Sequence, residues 1–351
     1  MNWKTASFIA LGIALLVLGL RPEKERNRAA PGGASSTNES IGFFADEAEL
    51  PAYLEGTPLP SPRTGLKVTT WNLHWFPGHT PSSVPEFLQK DHIDMVVDTL
   101  RELGADILCL QEIKDPNALK EIIAALPEYK MQMVSNFKGN LEIAILSKTD
   151  SMAAFAEEFH EAENTPPRGF AFAAFESGAN ALLIYSVHLK SNMGGISATA
   201  PKREESARQI INHAEKQREH YHRQKMRPSV LVGGDFNTDP TRSEFHIDHT
   251  LKEFVDRGFT WSFRGIARKN AITWLSNGRY PDAVFDGFLA LPAAGIDISR
   301  SVVTGTERAV SDHRPVSIWV DMPLGGAIGK SDIPLRLSSA SPRPDPRGLG
   351  C

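Results

Sequence analysis

Cysteine is nearly missing from this chain. Of 351 residues only two are cysteine: Cys109, inside the apolar run Ile107-Leu108-Cys109-Leu110, and Cys351, the last residue. Two so placed build neither a disulfide framework nor a cysteine-rich zinc site. An excess of one charge sign is missing as well, since the formal net charge is -4. No global basic excess announces nucleic-acid binding, so any site for a polyanion has to be local. Long apolar runs are scarce. One stands out, residues 6–20 (ASFIALGIALLVLGL), uncharged and preceded by Lys4. That is the pattern of a signal-peptide h-region, and it falls short of the roughly 20 apolar residues of a membrane span. Arg21, Lys24, Arg26 and Arg28 follow it, and the positive-inside tendency disfavours moving them across a membrane. Residues 1–20 therefore read as a signal peptide or an uncleaved N-terminal membrane anchor, and the expected location is exported, periplasmic or extracellular, or tethered to the membrane through residues 6–20.

What remains is ordinary globular composition, 41% hydrophobic and 23% charged. Residues 21–62 are rich in Pro, Gly, Ser and charge and read as a flexible linker; residues 323–351 read as a flexible tail. Between them, residues 63–322 show no fixed-period repeat and no internal boundary. Short apolar or alternating runs predict strands at 66–72, 106–111, 141–147, 170–175, 181–188, 229–232, 283–290 and 316–320. Helices are predicted at 84–103, 117–126 and 202–226, the last with a stripe of Ala207, Ile210, Ile211 and Ala214. Mixed strands and helices over this length predict sheets covered by outer helices.

Several of these runs finish on a polar group. LKVTTWN ends at Asn72, ADILCLQE at Glu112 and ALLIYSVH at His188, and Ser311-Asp312-His313 stands just ahead of the last strand. The clearest case is LVGGDFNTDP, residues 231–240, where an apolar run gives way to two glycines and then Asp235, Phe236 and Asn237. In an extended chain residues i and i+2 point to the same side, so period two predicts that Asp235 and Asn237 project together. A turn accounts for any one such segment, because Gly, Asp and Asn are common there. It gives no reason for five in one domain that together supply three carboxylates, two carboxamides and two imidazoles. Carboxylate and amide oxygens suit a hard divalent ion such as Mg²⁺, with Mn²⁺ or Ca²⁺ as substitutes. Imidazoles beside carboxylates titrate near neutrality. An attacking water needs a base, and a leaving alkoxide needs an acid or a metal ion.

In order along the chain, TTWNLHWF, LCLQEIKD, SVHLKS, GGDFNTDP, FDGFLAL and SDHRPV resemble the endonuclease/exonuclease/phosphatase superfamily, on its deoxyribonuclease I-like branch, over about residues 64–322. The resemblance implies an α/β fold, a four-layer α/β sandwich with two packed mixed β-sheets flanked by helices. It also implies phosphoester hydrolysis by metal-assisted in-line attack of water. Carried over position by position, Asn72, Glu112 and Asp312 are expected on the metal, and Asp235 is expected to orient or deprotonate the water. Asn237 is expected to hold a phosphate oxygen, His313 to contact the phosphate while Asp286 orients it, and His188 to stabilise or protonate the leaving group. Gly287 stands where the family commonly has an aromatic residue. Arg168 and Lys190 are expected phosphate contacts, with a surface salt bridge as the alternative for Arg168. Glu142 is expected either to orient His188 or to lie on the exposed side of its strand. His74, His160, His213, His220 and His222 lie outside the motifs and read as solvated, and residues 76–85 read as a surface loop.

Abasic-site endonucleases of this superfamily usually carry a Tyr-x-Pro-Asn-like segment where this chain has SVHLKS, so a repair role is disfavoured. The preferred expectation is an exported phosphodiesterase acting on DNA or RNA. The alternatives are a lipid phosphodiesterase or inositol phosphate phosphatase of the same superfamily and, ranked lower, a noncatalytic binding module on this scaffold.

Overall fold

The computed structural model describes residues 50–62, 65–139 and 141–322. The expected signal peptide or anchor, most of the linker and the C-terminal tail lie outside the described residues. Among those described, no helix is long and apolar enough to cross a membrane.

The elements in chain order begin with β1 (Leu66–Phe76), α1 (Glu86–Leu103), β2 (Ile107–Ile113), α2 (Ala118–Ala125), β3 (Lys130–Val134) and β4 (Glu142–Ser147). Then come β5 (Ala153–Glu158), β6 (Gly169–Ser177), β7 (Asn180–His188), α3 (Ile196–Arg223) and β8 (Arg227–Asp235). The last are α4 (Thr250–Val255), β9 (Thr260–Trp261), β10 (Asp286–Leu291), β11 (Val302–Val303) and β12 (Val316–Val320). They form two mixed six-stranded sheets, ordered β11-β12-β1-β2-β4-β3 and β5-β6-β7-β8-β10-β9. The sheets pack face to face, and helices cover their outer faces, as expected.

Alternation along β1 and β2 decides which residues meet the second sheet. Val68, Ile107 and Cys109 join the core between the sheets. Trp71, Leu73, Leu108 and Leu110 face the other way and pack with Ile93, Val96 and Leu100 of α1. By the same alternation Asn72, in the last regular pair of β1 with β2 before a register shift, faces the inter-sheet side and is fully buried. The helix α1 stops at Gly104, whose φ of 58° takes the left-handed conformation that lets its N–H reach the Leu100 carbonyl. The predicted stripe of α3, Ala207, Ile210, Ile211 and Ala214, is buried, and the helix packs on β7 and β8.

Three expectations change. The helix predicted to start at 202 starts at Ile196 and carries Pro201 inside it. The strands β3 (KMQMV) and β5 (AAFAEE) were not predicted, because neither has the β-branched run that marks a strand. Residues 50–62 are not a free linker. Leu54 is 4% exposed and joins the inter-sheet core, and its carbonyl accepts from the Gly265 N–H at 2.9 Å. Gly265 is required there, since a Cβ would lie 2.5 Å from the Gly56 carbonyl oxygen.

Candidate active site

Each sheet contains one parallel pair, β1–β2 and β7–β8. Each pair is joined by a crossover that contains a helix, α1 in one and α3 in the other. The C-terminal ends of both pairs meet between the sheets. Asn72 of β1 donates through Nδ2 to Glu112 Oε1, at the irregularity of the β1–β2 ladder, at 3.0 Å and to Asp235 Oδ2 of the other sheet at 3.1 Å. His188 and Asp235 are register partners at the ends of β7 and β8. Because β10 runs antiparallel to β8, its first residue, Asp286, lies opposite Asp235. His313 enters through an antiparallel bridge to Trp274, ahead of β12.

His313 Nδ1 pairs with Asp286 Oδ2 at 2.7 Å, and its Nε2 lies 3.9 Å from Asp235 Oδ2. His188 Nε2 lies 3.6 Å from Glu112 Oε1 and 3.7 Å from Asp235 Oδ2. Burial drives the His188 pKa well below the ordinary imidazole range, and the charges of Arg168, His313 and Lys190 push the same way. Burial pulls down on His313 too, but the carboxylates of Asp286, Asp235 and Asp312 hold its pKa well above that range. Burial, and then the neighbouring Asp286 and Glu112, raise the Asp235 pKa to about 7, against the opposing pull of His313 and the Asn237 N–H. One carboxyl group thus sits between a neutral and a charged imidazole.

The backbone is strained where these side chains are presented. Among the described residues seven non-glycine residues have positive φ. Six of them, His74, Trp75, His79, Glu112, Arg168 and Asn237, lie at or beside this cluster. Such clustering is typical of functional sites, where surrounding structure holds an unfavourable conformation. Glu112 sits where the β2–β4 register shifts. Asn237 corrects the period-two expectation. The chain leaves β8 at Asp235, and Asn237 closes a turn in which its N–H donates to Asp235 Oδ1 at 2.8 Å. Its φ is 52°, so the two side chains do not share a strand face. The glycines before them serve packing: a Cβ on Gly233 would meet the Phe288 ring at 2.3 Å, and one on Gly234 the Val187 carbonyl at 2.0 Å.

The remaining expected residues sit at the rim. Asp312 accepts from Trp274 Nε1 at 3.1 Å and lies 3.5 Å from His74 Nδ1, so His74 is a neighbour of the site and not a solvated surface residue. Arg168 makes no surface salt bridge. Its guanidinium donates to the carbonyls of His188 and Leu189 at 2.8 and 3.1 Å. Lys190 turns onto its own loop, donating to the Ser191 carbonyl at 3.1 Å. Glu142 neither reaches His188 nor lies exposed: it is buried and accepts from Ser135 Oγ and the Phe137 N–H at 2.5 and 3.0 Å. His213 is half-buried and bonds Tyr185 at 2.8 Å, whereas His160, His220 and His222 are exposed as expected. Sequence reasoning passed over Asp239, which is fully buried and accepts from the Val284 N–H at 3.0 Å. That bond ties the loop after β8 to the segment that carries Asp286. Its place two residues after Asn237 was the available signal.

The family model described as the endonuclease/exonuclease/phosphatase family matches residues 69–288. The chain belongs to this family. Among curated proteins none matches it. Among solved structures, an endonuclease/exonuclease/phosphatase family protein from Leptotrichia buccalis is 16% identical with a TM-score of 0.54, covering 73% of this chain and 100% of that one. Truncated TDP2 from Caenorhabditis elegans is 20% identical with a TM-score of 0.53, covering 73% and 97%. A mannosyl-6-phosphatase of Bacteroides thetaiotaomicron is 18% identical with a TM-score of 0.51, covering 73% and 99%. At these identities the likeness establishes the fold.

Members of the endonuclease/exonuclease/phosphatase family are metal-dependent phosphoester hydrolases, and the chain is an enzyme of that class. The cluster suits a divalent ion. Ligand atoms of Glu112, His188 and Asp235 lie within 4.8 Å of one another, as do those of Asp235, Asp286 and His313. Asp286 and Glu112 raise the proton affinity of Asp235, and Asp286 Oδ1 and Asp312 Oδ1 are buried without a hydrogen-bond partner. A cation answers both. The donor oxygens and the absence of thiolate fit a hard ion. Asp312 falls in neither group. At Gly287, where the family commonly has an aromatic residue, a Cβ would meet the Trp261 ring at 2.4 Å. The indole of Trp261 occupies that space from the neighbouring strand.

Proposed function

We propose that this chain is an exported, Mg²⁺-dependent phosphodiesterase that cleaves nucleic acid. The observation that carries the diester reading is that the two cations nearest the cluster direct donors to backbone carbonyls and not to the place of a phosphate. Arg168 is spent on the His188 and Leu189 carbonyls, and Lys190 on its own loop. That leaves His313 as the charged side chain seated on the cluster's own carboxylates. A diester carries one negative charge and suits such a site better than a dianionic monoester.

In this reading Asp235 takes the proton of the attacking water. A carboxyl group lifted toward neutrality by burial and by Asp286 and Glu112 is a stronger base than a solvated aspartate. His313, kept charged and aimed by Asp286, donates to the phosphoryl oxygen as negative charge builds there. Asn237 holds a second phosphate oxygen. His188 contacts the leaving oxygen through Nε2, while Arg168 fixes the backbone that carries it. Bound by Glu112, with Asn72 beside it, Mg²⁺ would supply Lewis acidity at the phosphate.

The test is a substrate panel on the purified chain: plasmid DNA, RNA, sphingomyelin, inositol phosphates and mannose 6-phosphate, each with Mg²⁺ and with chelator. The nuclease reading expects chelator-sensitive cleavage of DNA or RNA as the dominant activity. Dominant hydrolysis of mannose 6-phosphate would replace it with a phosphomonoesterase, a reading favoured by the fold likeness to the mannosyl-6-phosphatase. Sphingomyelin or inositol phosphate turnover would replace it with a lipid or inositol phosphohydrolase. Export rests on residues 6–20. Fractionation of cells expressing the intact chain, against one lacking those residues, checks it.

A further inference from the structure

A groove of about 410 Å³ runs beside the edge strand β11, lined by Val302 and Val303 of that strand, by Lys269 and Asn270, and by Arg300 and Arg314. No acidic side chain lines it. Arg300 and Arg314 are half-buried, and Arg314 Nε is buried without a hydrogen-bond acceptor. Among the described residues none of these three cations enters an ion pair, whereas most of the chain's other half-buried or buried arginines are used. Arg203 is closed on Asp248 at 2.6 Å, and Arg268, next to Lys269, reaches Asp239 at 3.4 Å. A half-desolvated guanidinium without a counter-ion is unfavourable. Two of them and a lysine around one concavity make it a receptor for anions.

Its position says which anion. Arg314 directly follows His313, and both lie in the segment that pairs with Thr273 and Trp274. Neighbouring residues of an extended chain point to opposite sides, so His313 faces the reaction centre and Arg314 leaves it for the groove. A chain of phosphates that wraps around this segment would meet His313 on one side and Arg314 on the other. We propose that the groove of Lys269, Arg300 and Arg314 binds the sugar-phosphate backbone of a nucleic acid at a phosphate flanking the scissile one. This assignment rests on the nuclease reading above and adds to it a binding site outside the reaction centre.

The experiment measures binding of a fluorescent DNA duplex to the full chain across a salt series, with chelator present so that nothing is cleaved. A Lys269→Gln/Arg300→Gln/Arg314→Gln variant is expected to lower the slope of log affinity against log salt by about 0.9, the value for the one phosphate no longer neutralised. A Lys269→Arg/Arg300→Lys/Arg314→Lys variant, which keeps the charges, is expected to retain the wild-type slope; this outcome excludes a merely structural loss. An unchanged slope in the glutamine variant overturns the assignment, as does failure of the wild-type chain to bind the duplex. If the slope falls as expected but wild-type protein with Mg²⁺ leaves the same duplex intact, the groove stands and the nuclease reading falls.

Discussion

His188 and His313 occupy two ends of one cluster and are almost equally buried, at 3% and 6% exposure. They nevertheless titrate in opposite directions. The difference is the partner of Nδ1. His313 gives that nitrogen to Asp286 at 2.7 Å, whereas His188 Nδ1 is buried with no partner. Burial alone makes an imidazole neutral; burial beside an aligned carboxylate makes it a cation. The same fold edge therefore presents one histidine of each kind, with Asp235 between them.

Breaking the cluster at its centre has the largest expected effect. Asp235→Asn or His313→Ala is expected to lower kcat by about 10² to 10⁴, the usual contribution of a positioned acid or base; wild-type turnover in either would sink the assignment. Next comes the carboxylate that separates the two histidines. Asp286→Asn is expected to bring the His313 pKa down toward that of His188, read from imidazole resonances in metal-free protein. The charged form of His313 stabilises the fold below the ordinary imidazole pKa, and that contribution is lost as pH rises through the raised folded value. The variant should lose this pH dependence.

Stability then sharpens the comparison from the acidic side. Folded Asp235 holds its proton up to about 7, against 3.8 for a free aspartate carboxyl. With a folded pKa raised above the unfolded one, metal-free stability should fall as pH rises between those values. Asp235→Asn should remove the fall and give a higher Tm at neutral pH than the wild-type chain, the trade of stability for activity common at catalytic sites. A lower Tm at neutral pH would contradict it. The smallest effect belongs to Glu142, which bonds only its own hairpin. Glu142→Gln should cost about 1 kcal/mol of stability in chemical denaturation and leave the His188 resonance in place; a shifted resonance would revive a role for Glu142 in orienting it.

Residue order made much of this legible. Asn72, Glu112, His188 and Asp235 stand out because each ends an apolar run, and a parallel pair in either sheet brings those ends together. Asp286 needed the family pattern, since it begins its run and does not end one, and His313 stood out by its place just ahead of the last strand. Arg168 and Lys190 were legible as cations near the site, but not by what they bond. Their partners are backbone carbonyls, which every residue has, so residue identity carries no signal for them. Asn237 was misjudged for a related reason. Period two describes a strand, and the chain had already turned at Asp235. His74 lay outside every motif, and only the left-handed backbone at 74–75 brings it against Asp312.

The central claim is that Asp235, between a neutral and a charged histidine, drives metal-dependent phosphoester hydrolysis. It is tested most directly by single-turnover cleavage of plasmid DNA with Mg²⁺, comparing wild-type chain, wild-type chain with chelator, and Asp235→Asn. The account predicts cleavage in the first alone. Equal cleavage by the Asp235→Asn variant would contradict it.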